Sequence, residues 1–315
     1  MKRIKQLGLL LAAALLLPAA CASSRPGRPA DPELYRISRS ARAAFDRGEF
    51  KPAVRLYRMA RQRARLIDDP AELGTVTYNL AAAYLELGET GRADQLLREA
   101  RRAFFRGPGV PEDLILLQGR IALLEGRTGE AERLIEEGLA EGEKNLDRET
   151  RVQFRLLRGR TALAGGDPAA ARAAVEESRR PLRKVSSEII LADHAALEGE
   201  VLSLEGEHLA AGELFDRAAE LLGQAGRYRG MTRARARAGR AYLEAGEFCA
   251  AGGRFYRAAR SLAARGETVA ALELIGAAVG AAEECPEEIL REEVGDLFSE
   301  LERALDLPFP PDKSE

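Results

Sequence analysis

The side chains in this 315-residue sequence that could do chemistry are three cysteines, two histidines and a large excess of arginine, 42 against 6 lysines among 48 basic residues. A cysteine can attack, ligate a metal, form a disulfide or carry a lipid. An imidazole moves protons or binds metal, and a guanidinium holds a carboxylate through paired hydrogen bonds. Spacing decides among these. His208 stands two residues after Gly206, where other segments carry Phe50, Thr90, Thr128, Pro168 and Phe248, so it reads as a turn residue. His194 has no convincing set of Cys, Asp or Glu at helical metal-site spacing and reads as a partly exposed helix residue. No GxxxxGKS/T, HExxH, GxSxG or CxxC occurs. Paired acids at helix-surface spacing read as solvated faces or partners of arginine. The sequence therefore predicts no enzyme, no cofactor and no metal site.

Cys21 closes the stretch LLLPAAC, which admits a membrane span, a buried helix or a lipid attachment site. The chain opens with the cationic Met1-Lys2-Arg3-Ile4-Lys5. An apolar run from Leu7 to Leu17 follows, and then small residues up to Cys21. That is the layout of a secretory signal. The run is shorter than the ~20 residues a span needs, and it lacks the polar face of a core helix. Leu17-Pro18-Ala19-Ala20-Cys21 resembles the lipobox of bacterial lipoproteins, in which the cysteine becomes the lipid-bearing first residue. The resemblance implies cleavage before Cys21. With Ala22 rather than aspartate next, it also implies sorting to the outer membrane, facing the periplasm.

About 290 residues remain after the signal, enough for two compact domains or one repeat array. No tryptophan, 5% aromatic residues and abundant charge of both signs suit an all-helical chain. The net charge of −2 becomes −5 once Lys2, Arg3 and Lys5 are removed, which argues against nucleic acid as a partner. The arginine bias reads first as base composition and second as a preference for bidentate ion pairs.

Six segments share a pattern ending at Gly48, Gly88, Gly126, Gly166, Gly206 and Gly246, spaced 40, 38, 40, 40 and 40 residues apart. Such regularity means one supersecondary unit stacked repeatedly. Seven residues before each glycine stand Ala41, Ala81, Gly119, Gly159, Gly199 and Gly239; five after it stand Ala53, Ala93, Ala131, Ala171, Ala211 and Ala251. Large apolar residues follow at Tyr57, Leu97, Ile135, Val175, Phe215 and Phe255. Small ones return at Ala60, Ala100, Gly138, Ser178, Ala218 and Ala258. Helical glycine costs about 0.5–1 kcal/mol relative to alanine, so a recurring one signals close helix approach. Alternating large and small positions form knobs and holes.

This order of small residue, large apolar residue, glycine turn and alanine is similar to the tetratricopeptide repeat. The likeness implies an all-α, right-handed α-solenoid of helical hairpins. The period is 40 rather than 34, so about six extra residues lengthen the helices or their connections. The pattern predicts a signal over 1–20, a tether over 21–32, six repeats over 33–264, an atypical seventh hairpin and cap over 265–306, and a tail over 307–315. Helices are expected at 33–47, 50–65, 71–87, 90–105, 112–125, 128–143, 149–165, 168–183, 187–205, 208–223, 229–245, 248–264, 268–284 and 286–305. Breakers at Asp68-Asp69-Pro70 and Gly107 to Pro111 read as linkers.

In that layout Cys249 starts one helix and Cys285 ends the next, so antiparallel packing sets them side by side. An oxidising compartment would favour a disulfide; the alternative is two separate buried thiols. In tetratricopeptide proteins the residue after the small position points into the concave groove, which places Arg42, Ala82, Arg120, Arg160, Glu200 and Arg240 there. Asn79 sits where chaperone-tail-binding repeats use an asparagine. Arg42, Arg120, Arg160 and Arg240 could take carboxylates or a peptide C-terminus; intramolecular ion pairs are an equal alternative.

The sequence thus points to a membrane-anchored scaffold that holds a protein or peptide partner in its groove. It resembles the helical-repeat lipoproteins of outer-membrane barrel assembly, pilus secretin assembly or envelope hydrolase control. A regulator or sensor binding a short peptide or small ligand is the alternative. The anchor is directly testable: Cys21→Ser should move the protein from the membrane pellet to the soluble fraction, and unchanged fractionation contradicts lipidation.

Overall fold

The computed structural model describes residues 31–107, 109–140 and 146–306. Cys21, the signal segment, the tether as far as residue 30 and the tail from 307 lie outside the described residues. Within them the chain is all-α, a right-handed α-solenoid of fourteen helices without a strand. Hairpins form from α1 (Pro32–Asp46) with α2 (Phe50–Ile67), α3 (Pro70–Glu86) with α4 (Thr90–Phe105), α5 (Glu112–Leu124) with α6 (Thr128–Ala140), and α7 (Arg148–Ala164) with α8 (Pro168–Leu182). Next come α9 (Glu188–Leu204) with α10 (His208–Gln224), α11 (Tyr228–Glu244) with α12 (Phe248–Ala263), and the capping pair α13 (Thr268–Glu283) and α14 (Glu288–Asp306).

The turn glycines work as left-handed helix ends. Gly48, Gly88, Gly126, Gly166, Gly206 and Gly246 have φ between 73° and 83°, a region costly for any residue with a Cβ. At Gly246 the next amide, that of Glu247, donates to Tyr242 O at 2.8 Å, satisfying an end carbonyl of α11. Gly226 and Gly266 repeat this geometry between hairpins, with φ 69° and 72°. From Gly206 to Gly266 the four connections therefore use one turn type, at 20-residue intervals. The expected linkers are sharper than loops. Asp69 caps α3 by accepting from the amides of Ala71 and Glu72, and Pro70 is its first residue. Asp31 accepts from the amide of Leu34, so Pro32 belongs to α1 rather than to a tether. The residues beyond the 34-residue period lengthen the helices, 18 residues in α2 and 17 in α3.

The small positions are buried where helices cross. Ala53, Ala93, Ala131, Ala171, Ala211 and Ala251 are wholly inaccessible. A Cβ at Gly119 would lie 2.7 Å from Leu157 Cδ2, and one at Gly159 2.7 Å from Leu197 Cδ2. These contacts join the first helices of successive hairpins: α5, α7 and α9 pack directly on one another. Aromatic knobs fill the remaining holes, Phe255 over Gly239 and Phe154 over Gly138.

The superhelix also meets itself. At the start of α11, Arg229 donates to the carbonyl of Glu86 at the end of α3, 2.8 Å away. The Arg227 guanidinium lies 5.8 Å from the centre of the Phe45 ring on α1. The sixth hairpin thereby touches the first two.

Gly138→Ala should destabilise the fold by about 1–3 kcal/mol, because a methyl there overlaps the Phe154 ring. Gly276→Ala, exposed inside α13 with open space around it, should stabilise by about 0.5–1 kcal/mol. Denaturant unfolding of both variants tests the packing; equal effects contradict it.

Candidate functional site

The inner layer of first helices carries two rows of polar residues. One row follows the small positions; the other lies seven residues earlier, two turns along the same helix face. This second row holds Tyr35, Thr75, Asp113, Gln153, Asp193 and Arg233. The structure joins the rows at the centre of the array. Arg120 on α5 donates to Gln153 on α7 at 3.3 Å and to Asp193 Oδ2 on α9 at 3.5 Å. Arg160 on α7 approaches Asp193 Oδ1 at 3.4 Å and its carbonyl at 3.3 Å. Two guanidiniums therefore bracket one carboxylate, and both bonds are longer than the 2.7–2.9 Å of a strong charge-assisted pair. Arg160 Nε is buried with no acceptor.

The other candidates lie apart from this cluster. Arg42 is exposed and pairs with Asp46 one turn later at 3.1 Å. It lines a shallow depression on α1 with Tyr35, Ser38 and Arg39. Arg240 is exposed and has no ion pair among the described residues, while its helix neighbour Arg237 pairs with Glu200. Asn79 is half-buried on α3 and makes no hydrogen bond among the described residues. Its neighbour Tyr78 faces the shared space: burial pushes its phenol up first, Asp113 adds to that, and Arg120 and Arg42 oppose it. Burial likewise holds the Asp113 carboxyl above its usual range, with Asp147 and Glu112 adding repulsion. The earlier row was invisible to a search for single motifs, although the seven-residue offset from Arg120 and Arg160 would have found it.

His194 corrects the expectation of partial exposure. It is 6% exposed on the face of α9 packed against α8, with Nε2 3.4 Å from Val175 O. Burial pushes its pKa down, and Glu198 opposes this. The histidine is a core residue. Among the described residues no group of three or more His, Cys, Asp or Glu is arranged to hold a metal, and no helix is long and apolar enough to cross a membrane.

Cys249 at the start of α12 and Cys285 after α13 are joined by a disulfide, with Cα atoms 4.9 Å apart. The bridge closes a 36-residue separation around the last hairpins, which the chain-entropy model values at about 4 kcal/mol.

Solved structures share this architecture at low sequence identity. A signal transduction ATPase with numerous domains from Pyrococcus horikoshii, bearing a tetratricopeptide repeat sensor, gives a TM-score of 0.61 at 13% identity over 87% of this chain and 41% of that one. A Rap protein complexed with competence and sporulation factor gives 0.61 at 13% identity, over 87% and 76% of the two chains. The apo form of RapI gives 0.56 at 14%, over 87% and 98%. This chain therefore spans about two-fifths of the ATPase's length. No family model and no curated protein sequence matches the chain. The fold is that of tetratricopeptide-repeat solenoids.

Cys249→Ser should lower the stability of the terminal hairpins by about 2–4 kcal/mol, seen as faster amide exchange in α13 and α14 than in α9 and α10. Unchanged protection, or alkylation of both thiols in unreduced denatured protein, contradicts the bridge.

Proposed function

We propose that this chain is a non-catalytic scaffold, anchored to the outer membrane through Cys21 and facing the periplasm, whose concave face holds a protein partner during assembly of an envelope complex. The observation that carries the binding role is the Arg120–Asp193–Arg160 cluster. A carboxylate from a partner would displace or share the long contacts that the part-exposed guanidiniums of Arg120 and Arg160 make to Asp193. The position suits a peptide C-terminus or an acidic side chain. Extracytoplasmic residence is supported by the signal-like segment and by the Cys249–Cys285 bridge, since structural disulfides persist in oxidising compartments.

A second reading is a regulator or sensor that binds a short peptide or small ligand. It is favoured by the curvature at the cluster, where Arg120 reaches past α7 to α9. A face on which residues of the third and fifth hairpins touch suits an extended chain better than a folded domain. The Rap protein of similar fold was crystallised with competence and sporulation factor.

Crosslinking in intact cells followed by mass spectrometry separates the two. The scaffold reading expects one recurrent protein partner whose capture falls at least tenfold in the Arg120→Glu/Arg160→Glu double variant. The sensor reading expects a thermal shift with a small ligand and no stable complex. Undiminished capture by the double variant contradicts the cluster as the binding site.

A further inference from the structure

The sixth hairpin carries arginine without matching acid. Between residues 228 and 263 stand eight arginines and only two acids, Glu244 and Glu247. Three of these arginines have ion-pair partners: Arg229 with Glu267, Arg237 with Glu200 and Arg254 with Asp216. Arg233, Arg235, Arg240, Arg257 and Arg260 have none among the described residues. Arg235 differs from the rest because it is half-buried.

Its surroundings can be placed. Arg235 lies seven residues before Tyr242, on the same face of α11. Tyr242 donates to Asp216 of α10 at 3.0 Å and lies under the Arg254 guanidinium of α12, which is 5.3 Å from its ring centre. That face of α11 is therefore the floor of a crevice between α10 and α12. Arg257 and Arg260 follow Arg254 at three-residue steps along one side of α12, which runs antiparallel to α11 and packs on it, so register sets them alongside Arg235, two turns before Tyr242; Arg260 also lies 5.5 Å from the Tyr256 ring centre. The nearby carboxylate, Asp216, is already occupied. It accepts three hydrogen bonds from Arg254 at 2.8–3.2 Å besides the one from Tyr242. That bond and burial push the tyrosine up to about 12, burial first. Burial and three like charges push the Arg235 pKa down, Arg257 being the strongest of the three. Two other partly buried arginines are neutralised, Arg61 by Glu99 and Arg127 by Glu125, Glu130 and Asp94.

The geometry points to a phosphate-binding crevice between α10 and α12, floored by Arg235 and rimmed by Arg257 and Arg260, that takes a phosphomonoester dianion. A carboxylate has two acceptor atoms for these three guanidinium forks. A phosphomonoester has three terminal oxygens and a second negative charge, and so matches the site in number and charge. The group could belong to free phosphate or to the headgroup of an anionic lipid. This site is independent of the concave cluster, and the lipid anchor has no part in it.

The test is thermal unfolding and calorimetric titration of the full chain with sodium phosphate, and with short-chain phosphatidic acid below its micelle concentration, at constant ionic strength set with chloride. Arg235→Gln removes a charge that burial disfavours, so this variant should fold at least as well as the wild type without ligand. The expected result is saturable stabilisation of the wild type, weakened about tenfold or more in Arg235→Gln and Arg257→Gln and retained in Arg233→Gln and in Arg120→Glu/Arg160→Glu. A response to both probes supports a site for free phosphate; a response to phosphatidic acid alone supports a headgroup site. No saturable response to either probe, or an equal response in Arg235→Gln, overturns the proposal.

Discussion

How near two helices can come is set by what stands between their axes, and here the intervening residues are alanine and glycine. Larger residues at those positions would hold the helices apart, lowering the curvature of the stack. With Gly119 under Leu157 and Gly159 under Leu197, the first helices of three successive hairpins lie directly against one another. The inner face then curves so tightly that Arg120 reaches a carboxylate two hairpins away. The same curvature brings α11 round to α1 and α3. The concave cluster, the meeting of the edges and the crevice between α10 and α12 all depend on side chains small enough to let backbones approach.

Ion pairs are arranged on that frame with the same period. Arg61 and Arg65 with Glu99, Arg101 with Glu137, Arg172 with Glu205 and Arg254 with Asp216 each join groups about one repeat apart. Bonds of this kind, mostly exposed, each contribute little to stability. Repeated along the array, they set the register between neighbouring hairpins and leave arginine in excess only where acids run out. An excess of arginine lies on the first hairpin and on the sixth, and the opposite imbalance lies on α14, where Glu288, Glu292, Glu293, Asp296, Glu300 and Glu302 are exposed.

The hairpins were legible in the sequence because their determinants are local. A glycine with positive φ, an alanine five residues on and a knob four residues further recur within one helix-turn-helix. Gly226 and Gly266 share the positive φ, but they are absent from the first four repeats, and Gly226 is followed by Met231 and Arg235 where the pattern has alanine and a knob, so both fall outside a 40-residue comparison. Contacts between repeats were less legible. Arg120 and Arg160 could be placed on the inner face by register, yet their shared partner Asp193 comes from a third helix, and the degree of curvature decides whether it is in reach. His194 looked polar enough for a surface, and only the packing of α9 on α8 shows that it is enclosed. The contact of Arg229 with Glu86, 143 residues away, has no signature in either segment.

That last contact bears on how such a chain could evolve. Open solenoids tolerate duplication or deletion of whole repeats, because each unit meets only its neighbours. Here the bond from α11 to α3, together with the packing of Arg227 on Phe45, spans an arc of fixed repeat number. Adding or removing one hairpin within that arc would carry Arg229 a full repeat past Glu86. Among the hairpins from the second to the sixth, repeat number is therefore an inherited dimension, whereas beyond α12 the array could lengthen without disturbing the contact.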